Sequence, residues 1–455
     1  MPSVSRRALL GALPVTAAGL AAAAGPATAA RPGERRGDAV AALARAARPL
    51  RTTEPHGPHD DLAPLGAAIG EVPVVGLGEV VHGAHELYTL KHRAFRYLVA
   101  EKGFRTFALE VGWGAGLRID SYVRNGTGDL RTILDEEFGN GAWPWHVEEY
   151  LDLIAWMRAH NARHRGAPLR FMGNDLAFPR IADTIFDGVT GWADRYAPGL
   201  RPELDACYLE LREHAAAADF QALPDAERQR IAGLARRAAD RVAALDPAPG
   251  GAAHAWAAQH ARVLAQTATL LAFRLNDPAE QPAAMRYRDE LMAVNTAWWH
   301  RQTGHKVLLS AHNGHTAYET YDPVHYPVTQ GAYLRDLLGA SYLSVGTTFG
   351  RGSWTVPDGS GEWQTASEGP PRAGSSEKIL ERAGRLAGHR DFLLDVRTAP
   401  AAARAWLSEE RPTRDIGPPG DPYRPFILAA GHDALIHLHA FGPARRLPEG
   451  NGRGE

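Results

Sequence analysis

Several side chains able to act as acids, bases or ligands follow short apolar segments that have the length of buried strands. These side chains are Glu79, His82, Glu110, Asp175, His312 and His315. The densest arrangement is GLGEVVHG at 76–83, which follows the apolar run VPVV at 72–75 and precedes an amphipathic helical pattern that stops at Gly103. A strand, a Gly-rich turn with Glu and His, and then a helix form the layout of an active site at the carboxyl end of a parallel sheet. We therefore expect these side chains to meet in one cleft.

Two chemistries fit such a set of glutamates and histidines. In the first, His82 is the general base on a water molecule that attacks an ester carbonyl, while a carboxylate fixes the tautomer of the imidazole. In the second, His82, His312, His315 and Glu110 bind a divalent metal ion, which lowers the pKa of its bound water to about 7. Because Glu79 precedes His82 by three residues, a spacing that suits a carboxylate bonded to the ring, we expect no cofactor and keep the metal as the alternative.

A serine nucleophile, the usual choice of an esterase, is not supported by the sequence. No G-x-S-x-G elbow occurs, and Ser310 lies inside a predicted strand. The zinc motif H-E-x-x-H is also absent, since His85-Glu86 has no histidine three residues later. No P-loop or complete G-x-G-x-x-G segment follows a strand, so a nucleotide site is not expected.

The composition is that of an ordinary soluble globular protein, with 45% hydrophobic and 22% charged residues in a chain of 455. The formal net charge of −2 gives no basic excess, so no nucleic-acid partner is expected. One cysteine is present, which excludes an intramolecular disulfide and a cysteine-based metal site.

Both ends of the chain differ in composition from its middle. Residues 1–29 carry the pair Arg6-Arg7, an Ala-rich apolar run and an A-x-A cleavage site, which predicts a twin-arginine signal and a secreted protein without stable membrane insertion. Residues 30–60 are predicted to be a linker or strapping arm. The polar tail at 442–455 is predicted to be disordered.

Strand-like runs alternate with helical patterns over most of the chain, which predicts an α/β fold around a mostly parallel sheet. The α/β core divides into 61–180 and 305–441. Between them, 181–304 contains four helical patterns and no strand, so we predict an inserted α-helical subdomain. The Gly/Ser/Pro-rich segment 351–375 is predicted to be a long loop near the site.

The chain also resembles a known family. The segments GEVVHG at 78–83 and ELYTLKHRAFRYLVAEKGFRTFALE at 86–110 strongly resemble the erythromycin esterase family. The resemblance continues through YRDELMAVN at 287–295 and AHNGHTA at 311–317. It implies a three-layer α/β/α core with a helical insertion and, for some members, hydrolysis of the macrolactone ester of macrolides.

The resemblance also implies roles for individual residues. His82 matches the general base, and the other members of the site are Glu79, Glu110, His312 and His315. One position departs from the pattern, because Lys91 stands where arginine is expected in the antibiotic-cleaving members, and lysine cannot make a bidentate contact. Arg93 or Arg96 could compensate. The predicted substrate-binding residues are Lys91, Arg93 and Asp175.

The sequence therefore predicts an exported hydrolase that acts on a small-molecule carboxylic ester through water activated by His82. Two alternatives stay open: a metal-dependent hydrolase that uses the same site, and an exported protein that binds haem or a metal ion without catalysis. A haem-binding protein would be coloured when purified and would not turn over an ester, so the two classes are easily distinguished.

Overall fold

The structure, a computed structural model, describes residues 32–139, 143–245, 250–358, 362–417 and 420–448. The predicted secretory signal at 1–29 lies outside the described residues. Within the described residues the chain forms eleven strands and seventeen α-helices. The strands are β1 Arg48–Leu50, β2 Val74–Glu79, β3 Phe104–Gly112, β4 Arg170–Asp175, β5 Lys306–His312, β6 Tyr342–Pro357, β7 Trp363–Glu368, β8 Asp391–Asp395, β9 Arg411–Arg414, β10 Tyr423–Phe426 and β11 Ala434–Phe441.

The helices cover both faces of the sheet and fill most of the chain between the strands. They are α1 Pro32–Ala46, α2 Ala63–Ile69, α3 His85–Lys102, α4 Trp113–Asn125, α5 Leu130–Phe138, α6 Glu148–Arg163, α7 Asp183–Tyr196, α8 Arg201–Glu213, α9 Ala217–Gln221, α10 Asp225–Ala243, α11 Ala252–Ala272, α12 Gln281–Thr303, α13 Asn313–Thr316, α14 Gln330–Leu338, α15 Ser376–Ala387, α16 Ala401–Leu407 and α17 Leu428–Gly431. As predicted, α3 stops at Gly103, which adopts the left-handed conformation (φ 71°) that favours glycine.

The main sheet has the strand order β1-β8-β11-β6-β2-β5-β3-β4, with β7 paired to the outer part of β6, as far as the described residues show. The neighbours from β11 to β4 are all parallel, whereas β1, β8 and β7 are antiparallel additions. The predicted α/β fold with a mostly parallel sheet is confirmed. The carboxyl ends of β2, β3, β4 and β5 meet at one edge, because parallel neighbours end together.

Helices pack on both faces, which gives the three layers. Alternate residues of β2 point to opposite faces, so Val75 and Leu77 join one core with α3, α4, α5 and α6, while Val74 joins the other with α7, α8, α10, α11 and α12. The helices α7 to α12 lie in the chain between β4 and β5. They form the predicted helical insertion, and its apolar sides are buried against the sheet.

The glycines of the segment GLGE are required by a close approach of the chain. A Cβ at Gly78 would collide with Asn313 and one at Gly76 with Tyr342 and Thr316. The short helix α13 follows His312 and contains His315. It therefore packs directly on β2. A larger residue at either glycine would push this turn away from the end of the sheet.

Three predictions about irregular segments are wrong or incomplete. The segment 351–375 is not a loop, because β6 runs on to Pro357 and pairs with β7 in a hairpin. The predicted disordered tail is tested only over 442–448, where the Gly442 amide donates to Glu86 at 2.7 Å and Leu447 is buried, so this part is ordered. Residues 449–455 lie outside the described residues. The arm at 30–60 is a strap rather than a linker, since α1 packs on α15 and α16 and β1 pairs with β8. No described helix is long and apolar enough to cross a membrane.

Candidate active site

His82 is held by a carboxylate at the end of β2. Its Nδ1 donates a hydrogen bond to Glu79 Oε1 at 2.5 Å. The second oxygen of Glu79 accepts from Lys91 Nζ, which also donates to the Ala311 carbonyl at 3.2 Å. The side chains of Glu79 and Lys91 are each 1% exposed, whereas that of His82 is 22% exposed. A series of polar contacts thus joins the buried Lys91 and Glu79 to the accessible imidazole of His82.

The charges of Lys91 and Glu79 fix the tautomer of the His82 imidazole. Burial raises the pKa of Glu79, but Lys91 and His82 outweigh burial, and the pKa lies below its usual value. Burial lowers the pKa of Lys91, and Glu79 opposes that shift. Because Glu79 is ionised, it holds a proton on Nδ1 of His82 and leaves the proton-accepting lone pair on Nε2.

A second ionic network lies at the ends of β3 and β4. His315 bridges two carboxylates, with Nδ1 at 2.6 Å from Asp289 Oδ1 and Nε2 at 3.1 Å from Glu110 Oε1. Arg288 donates to Asp175 Oδ2 at 2.8 Å and to Glu110 Oε1 at 3.3 Å. This arrangement joins two cations to three carboxylates at the edge of the sheet.

The protonation states of this network follow from its geometry. Burial lowers the pKa of His315, but Asp289 and Glu110 outweigh burial, and the pKa lies well above its usual value. Burial raises the pKa of Glu110, but His315 outweighs burial, and the pKa lies well below its usual value. At neutral pH His315 is therefore an imidazolium, and Glu110 is a carboxylate.

His312 is a neutral ring fixed by backbone groups. It caps α13, with Nδ1 accepting from the Gly314 amide at 3.1 Å, and Nε2 donates to the carbonyls of Val80 and Ile416, both at 3.2 Å. Burial is the main cause that lowers the pKa of His312. Its ring centre lies 5.3 Å from that of His82. His312 thus packs beside the proposed base and holds the turn at the end of β2 in place.

These groups open into one cavity with a volume of about 530 Å³, a size typical of small-molecule sites. The turn after α13 and the segment after β9 form the facing wall. The lining residues include His82, Glu110, Arg288, His312, His315, Tyr321, Asp322, His325, Tyr326 and Asp415.

Most of the side chains that were predicted to meet in one cleft do so. His82, Glu110, His312 and His315 line the cavity. Glu79 does not, because it is buried directly behind His82, where it contacts the imidazole and no ligand. Three strand ends, those of β2, β3 and β5, contribute side chains to this cavity, as expected for the carboxyl edge of a parallel sheet.

The predicted substrate-binding residues are placed elsewhere. Lys91 is buried behind Glu79, so it orients that carboxylate and cannot reach a ligand. Arg93 is fully buried and binds Asp61 Oδ1 at 2.5 Å and the Thr52 carbonyl at 2.8 Å, which ties α3 to the N-terminal strap. Asp175 is buried and accepts from Arg288. None of the three side chains lines the cavity, because each is bonded to partners inside the protein, so the geometry does not support direct substrate contact.

Three residues of the site were missed in the sequence. Arg288 and Asp289 lie in α12, within the segment YRDELMAVN at 287–295 that carries part of the family resemblance, which was the available sign. Asp415 is 3% exposed and lines the cavity, with Oδ1 at 3.7 Å from His312 Nδ1 and no hydrogen-bond partner. Nothing in the sequence around Asp415 indicates this position, because the segment reaches the site only through the packing of β9.

The site does not fit a metal ion. Across the described ranges, no group of three or more His, Cys, Asp or Glu side chains is arranged to hold one. His315 has a carboxylate at each ring nitrogen, and Nδ1 of His312 accepts from a backbone amide. Moving His82, His312, His315 and Glu110 onto one ion would break these contacts, so the alternative ligand set is not supported by the geometry.

Comparison with known proteins gives consistent relatives. A family described as erythromycin esterase matches residues 99–441. Erythromycin esterase type II of Escherichia coli is 25% identical over 322 residues, which cover 66% of this chain and 74% of that protein.

Solved structures are similar over nearly the whole chain. A protein from Bacillus cereus is 26% identical with a TM-score of 0.83, covering 91% of this chain and 99% of the other. A succinoglycan biosynthesis protein is 27% identical with a TM-score of 0.79, covering 90% and 99%. A mutant of the erythromycin esterase EreC in its open conformation is 18% identical with a TM-score of 0.68, covering 88% and 98%, and shares the fold.

Proposed function

Because the chain belongs to the erythromycin esterase family, we propose that it hydrolyses a carboxylic ester with water activated by His82. The observation that carries this proposal is the contact series Lys91–Glu79–His82, which presents a carboxylate-bound imidazole to a cavity of small-molecule size. The substrate is a small molecule, with a macrolactone or a related ester as the first candidate.

The reaction follows from the protonation states of the two networks. A water molecule at Nε2 of His82 loses a proton to the imidazole as its oxygen attacks the ester carbonyl carbon. Glu79 stabilises the imidazolium that forms, as a carboxylate does in any histidine–carboxylate pair. The tetrahedral intermediate then collapses, the bond to the alcohol oxygen breaks, and the imidazolium returns its proton to that oxygen.

The cations across the cavity suit the developing negative charge. Arg288 and the His315 imidazolium both line the cavity, and they are held in place by carboxylates rather than by substrate. His315 acts through its charge, because both of its ring nitrogens are bonded to carboxylates. An N–H of Arg288 can donate to the oxyanion without reorganising, an effect typically worth about 3–4 kcal/mol. Glu110 contributes by keeping His315 protonated.

We further propose that the protein acts outside the cytoplasm after removal of the signal at about residue 29. The support is the pair Arg6-Arg7 followed by an Ala-rich run and the A-x-A site. The proposal also holds that no metal is needed for catalysis, since a base already provides the nucleophile.

An ester screen of the purified mature protein tests the proposal. The panel contains erythromycin, simple lactones and p-nitrophenyl esters of increasing acyl size, each assayed with wild type, His82→Ala and the control His164→Ala, whose ring is exposed at the end of α6. We expect turnover of at least one ester by wild type and the control, and its loss in His82→Ala. Equal turnover by all three proteins would refute the role of His82. An absorption spectrum with a strong haem band would favour the binding protein instead.

A further inference from the structure

A second cavity, distinct from the catalytic one, has an unusually basic lining. It lies between the far part of β6, one face of α15 and the turn that joins α15 to β8, and its volume is about 480 Å³. Its lining includes Arg351, Lys378, Arg385 and Arg390. It shares no lining residue with the catalytic cavity.

These four cations have no close side-chain partner among the described residues. In the described parts of the chain, none of their side chains makes a hydrogen bond or an ion pair. Several exposed arginines elsewhere in the structure have a carboxylate partner, as Arg230 has in Glu210 and Glu227. This group differs because its four unpaired cations line a single cavity. The chain as a whole carries a net charge of −2. The positive charge of this cavity is therefore a local feature, opposite in sign to the net charge of the protein.

The carboxylate in this lining, Glu381, binds two histidines and none of the four cations. Glu381 accepts from His437 Nε2 at 3.1 Å and from His439 Nδ1 at 2.9 Å. Burial raises the pKa of Glu381, but these histidines outweigh burial and lower the pKa to about 2. The side chain of Glu381 is 12% exposed and lies beneath Gly350. Its contacts hold β11 against α15, and it lines the same cavity as the four cations.

The cavity is built on rigid elements. Arg351 lies on β6 in register with Ala440 of β11. Lys378 and Arg385 lie seven residues apart on α15, so they share one face of the helix. The start of α15 is fixed by Ser375, which caps it, and by Glu377, which accepts from the Arg414 amide at 2.8 Å. Cations that come from separate rigid elements can surround one ligand without a large ordering cost.

We infer that this basic cavity is a binding site for a phosphoryl group, carried either by a soluble phosphate ester or by a lipid headgroup. A phosphoryl group offers three oxygens and up to two negative charges, which suits several arginine forks better than a singly charged carboxylate does. The volume leaves space for the organic part of such a ligand. This site does not depend on the proposed esterase activity.

Binding measurements on the purified mature protein test the inference. The probes are inorganic phosphate, glycerol 3-phosphate and vesicles that contain phosphatidic acid, whose headgroup is a phosphomonoester. Binding of the soluble probes is measured by calorimetry and binding to the vesicles by sedimentation. The variants are Arg351→Ala and Arg385→Ala. The matched control is Arg382→Ala, an exposed arginine on the same helix that does not line the cavity.

We expect saturable binding that each cavity variant weakens about tenfold to a hundredfold, as the loss of a charge-assisted hydrogen bond does. The control should stay within about twofold of wild type, since it removes the same charge from outside the site. Binding of the soluble probes would identify a soluble ligand, and binding of the vesicles without them would identify a headgroup. No saturable binding of any probe, or an equal loss in Arg382→Ala, would overturn the inference.

Discussion

Replacing Lys91 by methionine should disable the proposed base from a distance. Lys91 and Glu79 are both fully buried, and burial is the largest influence on the pKa of Glu79, acting to raise it. The Lys91 ammonium is the largest influence in the opposite direction. Without it, the pKa of Glu79 should rise, and a protonated Glu79 no longer holds His82 in the tautomer that catalysis needs.

The size of the effect follows from the burial of the pair. Removing one partner of a buried ion pair costs about 3–5 kcal/mol in the free energy of unfolding. Loss of the carboxylate that orients a catalytic histidine costs about two to four orders of magnitude in kcat. Raising the pH should partly restore kcat, because Glu79 ionises again. The double variant Lys91→Met with Glu79→Gln should recover most of the stability but none of the rate.

Urea unfolding followed by circular dichroism, together with kcat measured against pH, checks both expectations. Lys102→Met is the matched control, since Lys102 ends the same helix and is not fully buried. A Lys91→Met protein that loses less than about 1 kcal/mol and keeps its rate would refute the reasoning. A double variant as unstable as the single one would show that packing, and not the unpaired charge, is responsible.

Three further outcomes are expected. Burial lowers the pKa of His92 to about 3, so the unfolded chain takes up a proton as pH falls below about 6.5 while the folded chain does not. Between pH 8 and pH 5, the free energy of unfolding measured with urea should fall by about 2 kcal/mol more in wild type than in His92→Phe. Equal falls in the two proteins would contradict this. Lysines in place of Arg6 and Arg7 should leave the precursor in the cytoplasm on immunoblots of cell fractions, whereas normal secretion would count against the twin-arginine route. Treatment with a chelator should leave ester turnover nearly intact, and stoichiometric zinc whose removal abolishes and whose return restores activity would establish the metal-dependent alternative.

The meeting of His82, Glu110, His312 and His315 in one cavity could be predicted because it depends on topology alone. Strands recognised from apolar runs had to end at a common edge once the sheet was parallel, so Glu110 and His315 could be joined to His82 without knowing any distance. Arg288 was not predicted to belong to the site, because it lies on a helix and a helix can approach the edge of a sheet from many directions. Its contact with Asp175 depends on how the inserted helices pack.

The residues predicted to bind substrate lie outside the cavity for a different reason. Lys91 and Arg93 were proposed from the family resemblance, in which an arginine is expected at position 91, and a charged residue on a helix is usually solvated. The sequence alone does not show that α3 is buried on nearly all sides, by the sheet, α6 and the N-terminal strap. The β6–β7 hairpin was missed similarly, since its Gly- and Ser-rich sequence has weak strand propensity, which pairing with β6 overrides.

The most direct test of the account is kcat for an ester with His82→Ala beside wild type, in purified mature protein that has been shown by circular dichroism to be folded. His82 is partly exposed and its removal leaves the Glu79–Lys91 pair intact, so the fold should be retained. The account predicts a fall in kcat of about two to four orders of magnitude, as for any lost general base, with KM changed little. A kcat that stays within about threefold of wild type, well below that range, would contradict the assignment of His82 as the base.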